Sequence, residues 1–298
     1  MNQLQLFLPC AAGVESYLAD EVHAITGLTG QDLLTGRGGV LLRASWRDAL
    51  LLNLHSRLAQ RVLVQLAHRP YRSENDLYAA ASDVAWEIWF TTRQTFKVEV
   101  TAQHSPLQSL NFAGLKVKDA VADRFRAKSG VRPDVNTQWP DVRIHLHLTT
   151  DEATIYIDTS GEPLFKRGWR EDKGDAPLKE TLAAAMIAAS GWDPLGDNPV
   201  PLYDPCCGSG TIAIEAAQAC CAVLRSRNCC RSRRMSGVLL KTKLKAQYRQ
   251  ALYPYLAVMW PTAWSISPNA TPSVPGWPRP SNSAAATRCS VCPRPNAA

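Results

Sequence analysis

No aspartate or glutamate occurs after Glu215. All 26 acidic residues lie at or before that position, whereas 12 of the 33 Lys and Arg lie beyond it. The net charge of +7 therefore conceals an acidic front part and a wholly basic end. A folded enzyme domain without one carboxylate from Ala216 to Ala298 would be abnormal. Histidine is missing too: all six lie at or before His147. The pair Cys289-Ser-Val-Cys292 then lacks both a His and a second matching Cys pair, so a zinc site is not expected there. No run of about 18 or more uncharged apolar residues is present, which excludes a transmembrane helix. The N-terminus has no basic leader, so no secretory signal is expected and the cytoplasm is the default.

What is present divides the 298 residues into parts. In the first part, to about Ser160, Leu4, Leu6 and Leu8 alternate as in a strand. Val14 to Ile25 reads as a helix, with Val14, Leu18, Val22 and Ile25 on one face. Val40 to Leu42 follows the turn Gly36-Arg37-Gly38-Gly39 as a short strand. Trp46 to Leu58 reads as helix, Arg61 to Ala67 as strand, and Glu74 to Trp86 as helix. Phe96 to Thr101 reads as strand and Leu115 to Lys128 as helix, with Leu115, Ala122 and Phe125 towards a core. Trp86, Trp89, Phe90 and Phe112 are read as core as well. Ile144 to Leu148 and Thr154 to Asp158 alternate around a polar turn as a hairpin. His145 and His147 share one strand face. With no third ligand in sight, a solvent-facing edge accounts for them better than a metal does. Helices mixed with alternating strands make this an α+β region.

From about Gly161 to Cys220 the pattern changes. Pro177 suits the first turn of a helix running through Ala189, and Gly191 stops it. Val200 to Tyr203 reads as a brief strand, followed by Asp204-Pro-Cys-Cys-Gly-Ser-Gly-Thr211 and an apolar helix from Ile212 to Ala219. Glycines between a strand and a helix let the backbone turn and approach a ligand at the helix N-terminus. A dinucleotide loop wants G-x-G-x-x-G. The spacing G-S-G-T after Asp-Pro favours a nucleoside ligand such as S-adenosylmethionine. Beyond Cys221 the chain holds nine of the 20 prolines. Apart from Val238 to Leu256 it has poor periodicity, and it reads as largely disordered.

DPCCGSGT resembles the first motif of methyltransferases that carry a THUMP domain. RGWREDKGDAPLKETLAAAMI is similar to the segment before that motif in the large-subunit ribosomal RNA guanine-N2 methyltransferases. FLPCAAGVESYLADEV and GRGGV resemble that family's opening. The resemblance covers Met1 to about Ala219. It implies a ferredoxin-like segment over residues 1–53 and a THUMP RNA-binding domain over 54–160. The start of a Rossmann-like α/β methyltransferase domain over 161–220 would follow, with a basic tail over 221–298. It implies S-adenosylmethionine as cofactor and large-subunit ribosomal RNA as partner, with no membrane role.

By the resemblance, Asp204, Pro205, Cys206, Gly208, Ser209, Gly210 and Thr211 hold the cofactor. Lys179, Glu180 and Thr181 match a helix start that covers it, or else form a surface helix N-terminus favoured by the dipole. For RNA, the candidates are Lys97, Lys116, Lys118, Arg124, Arg126 and Lys128, since phosphate contacts need cations. A solvated helix face tempered by Asp119 and Asp123 is the competing account. Arg93, Asn111 and Phe112 are weaker RNA candidates, Phe112 as a ring for a base to stack on.

The family also uses Asn-Pro-Pro-Tyr or -Phe to align the acceptor nitrogen, and a second-strand carboxylate for the ribose. This sequence has no Asn-Pro-Pro, and its one Asn-Pro, Asn198-Pro199, precedes the loop. No catalytic residue is therefore assigned, and the chain is expected to be inactive or very weak. The alternatives are a THUMP-type RNA-binding fragment with a relic loop and, behind it, a DNA adenine methyltransferase. The abrupt change near Cys220 fits translation out of frame, against a genuine basic RNA-binding tail. Sequencing the genomic locus should recover an Asn-Pro-Pro codon run in another frame; an intact frame with the same codon pattern would sink the idea.

Overall fold

The computed structural model describes residues 3–170, 176–193 and 200–228, with side chains of the last helix described as far as Ala219. The chain divides into two compact units, Met1–Arg167 and Gly168–Ala298. The expected tail over 221–298 lies almost wholly outside the described residues. No helix among the described residues is long and apolar enough to cross a membrane.

The first unit is built on one seven-stranded sheet. Its strands are β1 (Leu4–Pro9), β2 (Leu33–Gly36), β3 (Gly39–Ala44), β4 (Leu63–Pro70), β5 (Phe96–Ala102), β6 (Val142–Leu148) and β7 (Glu152–Asp158). Their spatial order is β2-β3-β1-β4-β7-β6-β5. All neighbours are antiparallel except β5 and β6. That parallel pair needs a long crossover, which the helix α4 (Leu110–Ser129) supplies.

The hairpin β2–β3 requires its glycines. Gly38 has φ +83°, and a Cβ on Gly39 would lie 2.5 Å from the Leu8 carbonyl oxygen and 2.6 Å from the Phe7 ring. Glu15 opens helix α1 (Glu15–Thr26) and ties it to this turn, accepting from the Gly38 N–H at 2.8 Å. Helix α2 (Trp46–His55) starts with a Ser45/Asp48 capping box, and α3 (Glu74–Ser82) with a Ser73/Asp76 box. Helix α2 ends three residues short of the expected Leu58 because Glu21 claims the next donors along the chain. The half-buried Glu21 carboxylate accepts from Ser56 Oγ at 2.7 Å and from the N–H groups of Arg57 and Leu58 at 2.8 and 3.2 Å. Burial pushes this carboxyl above its ordinary value, against the pull of those donors.

Alternating strands put Leu6, Leu8, Val40, Leu42, Ile144, Leu146, Leu148 and Ile155 into the core. Trp86, Phe90, Phe96 and Phe125 pack together, with Phe90 and Phe125 4.9 Å apart between ring centroids.

Several readings change. Helix α3 ends at Ser82, and Trp86 sits in a short 3-10 turn with its indole N–H on the Ala81 carbonyl. Helix α4 begins five residues earlier than expected, and its buried residues are Ala113, Val117, Ala120, Val121 and Phe125. Leu115 and Phe112 are exposed instead, and Trp89 is only half-buried against Trp46. Strand β6 lies between β7 and β5, so His145 and His147 are not on an edge.

In the second unit, helix α5 (Glu180–Ala189) starts after Lys179, so Pro177 precedes it. Helix α6 (Thr211–Asn228) packs on α5. Val200 to Tyr203 forms no strand among the described residues.

Leu146 is fully buried at the centre of β6. Its replacement by Ala should destabilise the first unit by about 2–5 kcal/mol, read as a lowered urea midpoint. Leu115→Ala, on the open face of α4, should stay within about 0.5 kcal/mol.

Candidate functional site

The loop before α6 folds as its residue types require. Asp204 Oδ1 accepts from the Cys206 N–H at 3.1 Å, an Asx turn that starts the reversal. Gly208 and Gly210 have φ of +51° and +74°, where a Cβ is disfavoured. The Gly210 N–H donates to the Cys207 carbonyl at 2.7 Å, and the Ile214 N–H to the Gly210 carbonyl at 2.9 Å, which begins the helix. Gly208 and Ser209 are exposed, whereas Thr211 and Glu215 are buried. Nothing lies within 4 Å of where a Cβ on Gly208 would be, so open space adjoins the backbone there. The first N–H groups of α6 have no partner within the helix by its geometry, and they carry its positive end.

Of the predicted helix start, Lys179 is the N-cap of α5, and Glu180 and Thr181 are buried in its first turn. The structure brings this turn and the glycine loop together through Arg170, the last residue of RGWR, which is not among the expected site residues. Its guanidinium donates to Glu180 Oε1 at 3.2 Å and to the Leu178 carbonyl at 2.9 Å. It also donates to Ser209 Oγ at 3.3 Å and to Thr211 Oγ1 at 3.0 Å. Arg170 and Glu180 side chains are 10% and 9% exposed, so the pair is buried. The Trp169 ring lies 5.1 Å from the guanidinium carbon and closes one face. A signal existed: a buried Glu180 demands a cation, and Arg170 precedes it closely. Burial of Glu180 was the part that a sequence does not display.

The six RNA candidates fare differently. Lys97 faces Glu99 at 3.3 Å, Lys118 faces Asp119 at 2.9 Å, and Arg126 faces Asp123 at 3.1 Å. Arg124 forks onto both Glu87 oxygens at 2.9 Å and reaches the Ser82 carbonyl at 2.8 Å. The Arg124 fork pulls the Glu87 carboxyl down to about 2. Lys128 adds to the field at Glu87 from the end of α4. Lys116 faces an aromatic ring: its Nζ sits 5.5 Å from the Phe112 centroid, and Phe112 is 47% exposed.

His145 lies 3.7 Å from both Glu99 and Asp158, inside a charge network with Arg61 and Arg143. Among the described residues no group of three His, Cys, Asp or Glu could hold a metal ion. The Cys289/Cys292 pair lies outside the described residues.

Comparison with known proteins gives these elements relatives. Residues 5–63 match the RlmL ferredoxin-like domain, 71–158 the THUMP domain, and 167–259 the RMKL-like methyltransferase domain. The last match runs past Cys220. The chain is 41% identical over 214 residues to the ribosomal RNA large subunit methyltransferase K/L of Syntrophotalea carbinolica, across 72% of this chain and 30% of that protein. With its namesake from Pseudomonas paraeruginosa it is 41% identical over 213 residues, across 72% and 29%. The chain thus spans about 30% of the length of these curated relatives.

Among solved structures, a predicted N6-adenine-specific DNA methylase from Listeria monocytogenes has a TM-score of 0.64 at 28% identity, covering 86% of this chain and 65% of that one. A putative methyltransferase complexed with SAH has a TM-score of 0.65 at 27% identity, covering 84% and 65%. The matches run in the expected order, α+β modules followed by a methyltransferase fold.

With open space beside it, Gly208 tests backbone strain alone. Gly208→Ala should destabilise the second unit by about 1–2 kcal/mol, and Gly208→Asn by less, since Asn tolerates the left-handed region. Hydrogen exchange of the amides from Cys206 to Ile214 would read both. Equal loss in the two variants would contradict this account.

Proposed function

We propose that the chain holds the RNA-binding modules and the cofactor loop of an S-adenosylmethionine-dependent methyltransferase. Its whole-length relatives would act on guanine N2 in large-subunit ribosomal RNA, and in the cytoplasm. The observation that carries this reading is the loop Asp204 to Thr211. Its glycines are left-handed, its backbone is open at Gly208, and a helix N-terminus stands behind it.

The residues present fit the cofactor. Gly208 and Gly210 let the backbone come close to a flat or polar ligand. Ser209 and Thr211 present hydroxyls, and the start of α6 favours an anionic group. When bound, S-adenosylmethionine would supply an activated methyl group on sulfonium. We assign Asp204, Pro205, Cys206, Gly208, Ser209, Gly210 and Thr211 to the cradle. Lys179, Glu180 and Thr181 form the helix start that covers the cofactor, and Arg170 holds Glu180 beside the loop. The 298 residues contain no Asn-Pro-Pro to align an acceptor nitrogen. We therefore read this chain as one that binds cofactor and RNA without turning over, which leaves an RNA-binding THUMP fragment as its working state.

For RNA, the geometry ranks the candidates. Lys97, Lys118, Arg124 and Arg126 spend their charge on carboxylates, and such surface pairs add little affinity for phosphate until broken. Lys116 and the exposed Phe112 ring form a cation beside a stacking surface, which suits an unpaired base and its phosphate. The polar loops of single-stranded RNA offer both. A second reading, a DNA adenine methyltransferase, draws on the similar glycine loop of such enzymes and on the description of the Listeria relative.

Calorimetry should show the full chain binding S-adenosylmethionine, and it should bind single-stranded ribosomal RNA more tightly than duplex DNA. Phe112→Ala should weaken RNA binding by about 1–3 kcal/mol. Lys116→Ala should lower the salt slope by about 1. Tighter binding to duplex DNA would overturn the RNA assignment. Methyl transfer by the purified chain to unmodified ribosomal RNA would overturn its inactivity.

A further inference from the structure

Arg170 binds both the first turn of α5 and the glycine loop. Its four bonds reach Glu180, the Leu178 carbonyl, Ser209 and Thr211. Their chemistry is asymmetric. A guanidinium has donors only and no acceptor. Where Ser209 Oγ and Thr211 Oγ1 meet Arg170, each oxygen must therefore accept. Each hydroxyl hydrogen then points away from the guanidinium. The two oxygens are 3.3 Å apart, so one hydroxyl donates to the other and the remaining hydrogen has no partner among the described residues.

That hydrogen is available beside the positive end of α6. A hydroxyl donor, a helix N-terminus and a buried cation behind them all favour an anionic oxygen. Glu180, bonded to Arg170 Nε at 3.2 Å, offsets the charge of the guanidinium and helps to keep it fixed. The Trp169 ring, 5.1 Å from the guanidinium carbon, holds the plane of the fork.

We propose that Arg170 is a positioning residue that orients the Ser209–Thr211 hydroxyl pair so that its one remaining hydrogen donates to the carboxylate at the amino-acid end of the cofactor. This rests on reading the loop as the cradle for S-adenosylmethionine. Arg170 acts through the two hydroxyls and does not touch the ligand. A lysine cannot replace it, because an ammonium lacks the planar fork that spans two hydroxyls, a carboxylate and a carbonyl.

The test uses the full chain and two ligands that differ at one end. S-adenosylmethionine carries the carboxylate; 5′-methylthioadenosine has the same nucleoside and lacks the amino-acid part. For Arg170→Lys and Thr211→Val, affinity for S-adenosylmethionine should fall about ten- to a hundredfold, the usual effect of losing a hydrogen bond to a charged group. Affinity for 5′-methylthioadenosine should stay within about twofold, a span well under one charge-assisted bond. Thr211→Ser keeps the hydroxyl and should restore S-adenosylmethionine binding. Equal weakening of both ligands would make Arg170 a purely structural residue and overturn the proposal. So would unchanged S-adenosylmethionine affinity, or loss of the folded circular-dichroism signal in Arg170→Lys. A wild-type chain that binds neither ligand overturns the cofactor reading itself, and this proposal with it. Wild type binding 5′-methylthioadenosine as tightly as S-adenosylmethionine overturns the carboxylate contact while leaving the cofactor reading in place.

Discussion

Strand β4 is the constraint on which the first unit depends. It hydrogen-bonds β1 through Leu63 and Val64, and β7 along its whole length from Leu63 to Pro70. The ferredoxin-like match ends at residue 63 and the THUMP match begins at 71. The strand between them is thus the seam of two modules, and it makes one sheet of both. The resemblance implies a boundary at 53/54, and domain boundaries ordinarily fall in linkers that few contacts cross. Here the junction is a strand hydrogen-bonded on both sides. Arg61, Val62 and Thr159 add side-chain and backbone bonds at the same seam, with Arg61 bound to Asp158 and the Val62 carbonyl receiving Thr159 Oγ1 at 2.8 Å.

Charge organises the rest. In the first unit most of the cations proposed for RNA are held by neighbouring carboxylates, and Glu87 stays ionised well into acid because of Arg124. In the second unit the cation Arg170 holds loop and helix together among the described residues. The same residue type thus serves a surface fork in one place and an internal fastening in the other. Exposure decides which. Arg170 is 10% exposed beside a partner at 9%, whereas Arg124 and Glu87 are 21% and 35% exposed.

The strands with strict alternation were legible. Leu4 to Leu8 and Ile144 to Leu148 each place one face in the core, and period two requires a strand there; Thr154 to Asp158 is a strand as expected, but it is buried on both faces. The glycine loop was legible because glycine spacing has few explanations between an apolar stretch and a helix. Strand β2 was not: Leu33-Leu-Thr-Gly36 is short and mostly exposed, and only pairing with β3 makes it a strand. Val200 to Tyr203 failed the other way. Its apolar run suggested a strand, but Val200 and Tyr203 are exposed and no ladder forms among the described residues. Phe112 was misassigned by residue type, since aromatic usually means buried, and helical phase puts it outside. Arg170 was missed because its role lies in four partners spread over 41 positions of sequence.

The seam also sets an order in time. Val64 pairs with Leu6 early in the chain, but its other neighbour is Ile157. As the chain leaves the ribosome, β1, β2, β3 and β4 can pair long before β7 exists. Until then β4 presents a full row of unpaired N–H and C=O groups, a template for a foreign strand. Closing this loop carries the entropic cost of a distant contact and slows folding relative to the local hairpins. The first unit is therefore most exposed to misassembly during the synthesis of residues 71–151. Pro70, which has no N–H, ends the ladder on that waiting edge.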